Sequence, residues 1–256
     1  MRGPTRTIAI ATRKGGAGKT TTAVNLAAAL ALRGETSLVI DLDPQANATT
    51  HLGVDPDKTP VTIYELLLGM DDDPEAAVVA TSVKGLDLLP AAPRLAGAEL
   101  ELAPVPGRER RLTELMAPLV EKYRYIIVDC PSSFGILFLN GLLACAETMA
   151  PVQTHHFAVT AARQFADILK EITATFGSGP TLTGLIPTMV DRRMKLSQSL
   201  IRDMENDYGR NLVRPSIRLD ARLAEAPAKG KPIHRFAPKS NGAYDYTLLA
   251  DDIRVM

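Results

Sequence analysis

Only two cysteines, Cys130 and Cys145, occur in 256 residues. That is too few for a disulfide scaffold and suits a reducing, cytoplasmic setting. No apolar run approaches the ~20 residues that cross a bilayer. The start, Met1-Arg2-Gly3-Pro4-Thr5-Arg6, has no apolar signal core, so export is not expected. Internal repeats, low-complexity tracts and a clear linker are missing too. Net charge is also missing, since 29 Lys and Arg balance 29 Asp and Glu. What remains is a well-cored globular chain, 46% hydrophobic with a mean hydropathy of +0.02. Its length fits one large domain spanning 1–256.

The zero sum hides an asymmetry. Residues 1–180 carry 16 basic and 20 acidic side chains, and residues 181–256 carry 13 and 9. Within 192–239 there are 12 basic against 5 acidic, a net +7. That segment is rich in arginine (Arg192, Arg193, Arg202, Arg210, Arg214, Arg218, Arg222), the side chain that suits phosphate oxygens.

The chain is organised around Arg13-Lys14-Gly15-Gly16-Ala17-Gly18-Lys19-Thr20-Thr21. The run Thr7–Thr12 before it reads as a strand, and the apolar-faced stretch Thr22–Arg33 after it reads as a helix. Strand, glycine-rich turn and helix N-terminus in that order form an anion site. Glycines let the backbone approach phosphate oxygens, N–H groups point inward and the helix dipole favours negative charge. Lys19 is placed to reach β- and γ-phosphates, and the Thr20 hydroxyl to hold Mg²⁺. The strict P-loop pattern has glycine where Arg13 stands. The form present is Lys-Gly-Gly-x-Gly-Lys-Thr, with an additional lysine, Lys14, at its start.

Further on, Ser37–Gln45 reads as a buried parallel strand running into a turn that carries Asp41 and Asp43. A loop is expected over 47–53 and a short helix over 62–69. Asp71-Asp72-Asp73-Pro74 reads as a charge cluster opening another short helix, not as a metal site. Leu86–Pro90 is a strand, and 107–123 has apolar residues at helical spacing. Tyr125-Ile126-Ile127-Val128-Asp129 has the Walker B form, apolar residues ending in an acid that holds Mg²⁺. Helices over 135–145, 158–176 and 194–208 alternate with strands over 147–152, 182–188 and 211–213. An irregular stretch then leads to a last helix over 242–254. This alternation predicts an α/β fold, a doubly wound and mostly parallel sheet with helices on both faces.

These residues resemble one family nearly end to end. The loop from Lys14, the segment Asp41-Leu42-Asp43-Pro44-Gln45 with Asn47-Ala48-Thr49, Leu95-Ala96-Gly97-Ala98-Glu99, Asp129-Cys130-Pro131, Leu196-Ser197-Gln198, Glu225-Ala226-Pro227 and Gly230-Lys231-Pro232 are similar to the ParA/Soj partition ATPases. Those belong to the deviant Walker A, ParA/MinD group of P-loop ATPases. No helix-turn-helix precedes the loop, as in the short members. The resemblance implies ATP and Mg²⁺ as ligands and a homodimer formed on ATP binding. It implies that Lys14 reaches across that dimer to the partner's nucleotide, while Gly15, Gly16, Ala17, Gly18, Lys19, Thr20 and Thr21 bind nucleotide in the chain. Thr20, Asp41 and Asp129 serve the metal, and Asp43 orients the attacking water. It further implies non-specific binding of double-stranded DNA through Arg192, Arg193, Arg218 and Arg222. A ParB-like or other cargo adaptor stimulates hydrolysis, and the protein sits in the cytoplasm on the nucleoid, with no membrane.

The chain departs from that pattern at Ser132 and Phe134 after the Walker B acid, and at Thr154-His155-His156-Phe157. The second departure is read as a partner-specific surface, not as a metal site. Leu219 replaces a family arginine, with Arg218 one place away. A MinD-like membrane switch is the alternative, but the tail Leu248–Met256 carries acids and little basic charge. An iron–sulfur electron-transfer ATPase is a further alternative, against which both cysteines read as buried.

Overall fold

The computed structural model describes residues 4–209 and 212–256. Arg210 and the start of the strand expected at Asn211 lie outside them, as do Met1, Arg2 and Gly3. The first unit is β1 (Arg6–Ile10) followed by α1 (Lys19–Leu32), then β2 (Ser37–Asp41). Two short helices follow, α2 (Asn47–His51) and α3 (Ile63–Leu68), before β3 (Val79–Ala80) and β4 (Leu86–Leu89). Next come α4 (Ala98–Glu101), α5 (Arg111–Met116), β5 (Tyr125–Asp129) and α6 (Ile136–Leu143). β6 (Glu147–Gln153), α7 (Ala158–Phe176) and β7 (Thr181–Thr188) follow. α8 (Lys195–Tyr208), α9 (Ala221–Glu225), α10 (Ile233–Phe236) and α11 (Asn241–Val255) complete the chain.

The strands form one sheet in the order β3-β4-β2-β5-β1-β6-β7, parallel throughout except for β3. Strand residues alternate between two buried faces, as a sheet covered on both sides requires. Ile8, Ile10, Val39 and Ile127 pack beneath α1 and α11, while Ala9, Leu38, Ile40, Ile126 and Val128 pack beneath α3, α6 and α7. α1 is buried on almost every side between sheet and α11, which is why it is built of alanine and leucine. Its two interior polar residues are satisfied. Thr22 Oγ1 meets Tyr246 Oη at 3.2 Å, and Asn25 Oδ1 accepts the Ile233 N–H at 2.6 Å.

Several local expectations change. Residues 47–51 are helical because Thr49, held by Asp41, starts a turn that packs inward. No helix begins at Asp71. Asp71 and Asp73 instead accept the N–H groups of Asp73, Glu75 and Ala76, turns that use the same carboxylates. The expected helix over 107–123 is regular only from Arg111 to Met116. Ala117 keeps helical geometry, but Pro118 has no N–H to continue the ladder, and the chain goes on in turns. The stretch before α11 holds two short helices, not irregular chain. Thr62 does cap α3, reciprocally with Glu65.

Gly141 lies where α6 crosses the sheet. A Cβ there meets Cys130 Sγ at 2.5 Å and Leu42 Cδ2 at 3.2 Å. Gly141→Ala is expected to destabilise the protein by about 1–3 kcal/mol despite the better helix propensity of alanine. Urea unfolding followed by far-UV circular dichroism measures this.

Candidate functional site

The C-terminal ends of β1, β2 and β5 converge, and the residues singled out in the sequence sit there. Register explains the placement. Asp41 pairs with Asp129 across β2 and β5, and Ile10 with Asp129 across β1 and β5. From β1 the chain enters the loop at Thr12, and two of its glycines take left-handed backbone, Gly16 at φ +74° and Gly18 at φ +91°. A Cβ at either position faces no close contact, so conformation and not space demands glycine there. The Thr188 hydroxyl at the end of β7 donates to the Ala17 carbonyl at 2.9 Å and holds the loop's crown.

Gly18 precedes α1 with no side-chain cap, and no acidic residue lies in the first turn. The N–H groups of Lys19, Thr20 and Thr21 are therefore left for an anion. Lys19 is 8% exposed, its Nζ 3.5 Å from the Lys14 carbonyl oxygen. Burial lowers its pKa, and the charges of Asp129 and Asp43 oppose that shift.

The two acids beside it differ. Asp41 is fully engaged. One oxygen accepts the Thr49 N–H at 2.8 Å and the Thr49 hydroxyl at 2.7 Å, and the other accepts the Asp43 N–H at 3.2 Å. Thr49 Oγ1 in turn accepts the Ala91 N–H at 2.9 Å. Asp41 thus pins segment 43–49. Burial raises its pKa to about 6 against those hydrogen bonds. Asp129 is equally buried, and among the described residues neither of its oxygens has a hydrogen-bond partner. Burial first, then the Asp41 charge, push its pKa well above the carboxylate range, while Thr20 and Lys19 pull the other way. A buried, partnerless carboxylate beside a threonine hydroxyl fits a hydrated divalent cation. Asp43 is half-exposed and bonds the Gln45 N–H at 3.0 Å through one oxygen.

Lys14 faces the other side of the loop. Its Nζ donates to Gln153 Oε1, at the end of β6, at 2.9 Å and touches His155 Nε2, two residues beyond that strand. The two lysines of one loop therefore serve opposite flanks of β1.

Three features here had no clear mark in the sequence. A cavity of about 140 Å³ adjoins the loop at Gly18 and Thr21, walled by Met189, Ile217, Leu219 and Tyr246. Its lining comes from four separate segments, so no local pattern announces it. Ala46 and Met189 have positive φ, +49° and +53°, which is uncommon for residues with a Cβ. Both flank the site, one after Asp43 and one in the cavity wall.

The arginines fall into two groups. Arg192, Arg202 and Arg222 are exposed, and Arg193 has 89% of its side chain in solvent, although it pairs with Asp191 at 2.8 Å. Arg218 instead binds the buried Asp245 at 2.6 Å, and Arg214 binds Asp252 at 3.0 Å, with 21% and 10% of their side chains exposed. Those two tie the segment to α11. Cys130 and Cys145 are buried free thiols, with pKa raised by burial. Among the described residues no cluster of His, Cys, Asp and Glu is arranged to hold a metal on its own.

Strand, left-handed glycine loop, uncapped helix, buried lysine and unpartnered acid together define a P-loop nucleotide site. A family model described as AAA domain matches residues 5–180. The sporulation initiation inhibitor protein Soj of Bacillus subtilis is 38% identical over 96% of this chain and 97% of its own. The chromosome partitioning protein ParA of Myxococcus xanthus is 36% identical over 97% and 87%. A crystal structure of cobyrinic acid a,c-diamide synthase from Mycobacterium smegmatis with bound ADP and magnesium superposes with a TM-score of 0.83. It is 37% identical and covers 96% of this chain and 93% of that one. The chain belongs to the ParA/Soj family of P-loop ATPases.

The raised pKa values carry a consequence for stability. Above its native pKa the Asp129 carboxylate is charged in both states and penalises only the folded one. As pH falls through that pKa the native state binds a proton and the penalty is relieved. Asp41, at about 6, contributes with the same sign. Asp129→Asn should therefore raise the unfolding midpoint of the nucleotide- and magnesium-free protein at pH values above that native pKa, by ~2–4 °C per kcal/mol relieved. The gain should shrink as pH is lowered through it, which calorimetry across pH measures.

Proposed function

We propose that this chain is an ATP-dependent dimerising switch that binds duplex DNA without sequence preference and positions DNA or a large cargo. Residues 1–256 act in it as one domain, in the cytoplasm and on the nucleoid. A ParB-like or other cargo adaptor stimulates hydrolysis. The observation that carries the reading is the divided loop. Lys19 lies near the Asp129 charge on the cradle side, while Lys14 is turned away toward Gln153 and His155 and does not serve this chain's own cradle.

In this reading Gly16 and Gly18 let the loop wrap the phosphates, and the N–H groups of residues 15–21 hold their oxygens. Lys19 neutralises the β- and γ-phosphates. The Thr20 hydroxyl and, through water, Asp129 would hold Mg²⁺, which would supply further neutralisation of the same oxygens. Asp41 keeps segment 43–49 in register, so that Asp43 stands at the γ-phosphate end to orient water. Lys14 from the partner completes the charge balance, which makes hydrolysis depend on dimerisation. The cavity at Thr21, Met189 and Tyr246 takes the flat, apolar base. Lys19→Ala is expected to abolish ATP binding. Asp43→Ala should keep ATP and accumulate dimer, and Lys14→Ala should bind ATP as a monomer that fails to dimerise, to hydrolyse or both. Size-exclusion chromatography with ATP, together with phosphate release, measures all three. A Lys14→Ala protein that dimerises and hydrolyses normally removes the cross-dimer role.

DNA binding rests on the net +7 of segment 192–239, with Arg192, Arg193 and Arg222 the exposed contributors. Arg218 contributes chiefly by holding its segment on Asp245. Few aromatics interleave these charges, so phosphate contact on duplex DNA is the mode. The MinD-like alternative needs an apolar helix face for a bilayer surface. In α11 that face, Tyr246, Leu249 and Ile253, is packed on α1, and among the described residues no helix is long and apolar enough to cross a membrane. The amide-forming activity named for the Mycobacterium smegmatis protein is not carried over, since the buried cysteines offer no reactive thiolate for releasing ammonia. Arg193→Glu and Arg222→Glu should weaken binding to all duplexes alike and leave ATP-dependent dimerisation intact. Each neutralised phosphate should contribute about −0.9 to the log–log salt slope. Fluorescence polarisation on two unrelated duplexes, with and without ATP, tests this, and a strong preference for one duplex overturns it.

A further inference from the structure

The side chain of His155 stands between two groups that both ask it to accept a hydrogen bond. On one side Lys14 Nζ meets Nε2. On the other the backbone N–H of Phe157 points at Nδ1 from 3.1 Å. An ammonium offers only donors, and a neutral imidazole has one acceptor nitrogen and one N–H. The ring therefore satisfies Lys14 or Phe157, never both. With Nε2 accepting, Lys14 is held and the Phe157 N–H faces another N–H. With Nδ1 accepting, the Phe157 bond forms and an Nε2–H confronts the ammonium.

Gln153, the second acceptor for Lys14, is the last residue of β6 and lies beside Thr188, whose hydroxyl holds the loop at Ala17. Phe157 immediately precedes α7, which has no side-chain cap, and its ring is 65% exposed, edge-on to His156 at 5.0 Å. Burial first, then the charge of Lys14 and the neighbouring His156, keep the His155 pKa below its ordinary value, so the ring is neutral near neutral pH.

We propose that Gln153 and His155 are positioning residues that hold Lys14 on its own protomer, and that His155 relays the departure of Lys14 to the start of α7 by exchanging its tautomer. Lys14 at rest leaves the Phe157 N–H unbonded. When Lys14 swings out, the proton moves from Nδ1 to Nε2 by exchange with solvent, Nδ1 accepts the Phe157 N–H, and the first turn of α7 and its exposed phenyl ring are fixed. The state of the nucleotide loop is thereby written onto the surface segment 154–157. The relay itself stands on these contacts, and its consequence for dimerisation rests on the role proposed above for Lys14.

The test uses the full chain without nucleotide. In protein labelled with ¹⁵N in its histidines, His155 should show an unprotonated Nε2, and Lys14→Ala should convert it to the Nε2–H form. Acylation of the Lys14 amine, followed by mass spectrometry, should be about threefold or more faster in His155→Ala, which removes one of its two holders. Gln153→Glu should slow it, because a carboxylate holds an ammonium more tightly, and should raise the protein concentration needed for the ATP-dependent dimer. Opposite shifts from the two variants cannot come from misfolding. An Nε2–H ring in both wild type and Lys14→Ala, or labelling unchanged in both His155→Ala and Gln153→Glu, overturns the proposal. If ring and labelling respond as stated while Lys14→Ala dimerises and hydrolyses ATP normally, the relay stands and the cross-dimer role of Lys14 fails.

Discussion

Side by side at the ends of neighbouring parallel strands, Asp41 and Asp129 are forced together by register, and the site follows from how differently they are treated. Two buried carboxylates at that spacing repel and are poorly solvated. Asp41 is stabilised by a complete set of donors from Thr49 and Asp43, which makes it the anchor of the segment that follows β2. Asp129 has no such set: among the described residues neither oxygen has a hydrogen-bond partner, and only the nearby Thr20 hydroxyl and the Lys19 charge offset its burial. The uncapped start of α1 stands opposite with its N–H groups unused. Unmet negative and unmet positive potential thus face each other across a gap that an anion and a cation fill together.

That arrangement was legible in the sequence to a large extent, because each part has a local signature. Apolar runs ending in an acid mark β2 and β5, and glycines before Lys19-Thr20 mark the turn into α1. What stayed hidden depends on contacts made at a distance. The helical turn at Asn47–His51 exists because Thr49 reaches Asp41, which no periodicity in 47–51 records. β3 is a two-residue antiparallel edge with no pattern to read. The cavity beside Gly18 draws its walls from residues up to 228 positions apart in the chain, Gly18 and Tyr246 among them. Conversely, the helical spacing over 112–120 was real, and Pro118 overrode it.

Charge counting had a similar limit. A window from 192 to 239 holds 12 basic residues, but the acids that neutralise two of them, Asp245 and Asp252, lie beyond it on α11. Net charge along the sequence therefore overstates the charge offered to solvent. The remaining exposed arginines lie in the chain on either side of the Arg218–Asp245 link, and Arg218 also lines the cavity beside Gly18.

The uncapped helix and the unpartnered carboxylate also have a thermodynamic meaning for the protein as a population. A ligand that binds only the folded chain stabilises it by mass action, about 2.7 kcal/mol at a hundred times its dissociation constant. Here the groups that meet the ligand are the same ones that burden the empty fold. Nucleotide binding therefore does two things at once: it fills the site and removes the burden that the empty site places on the fold.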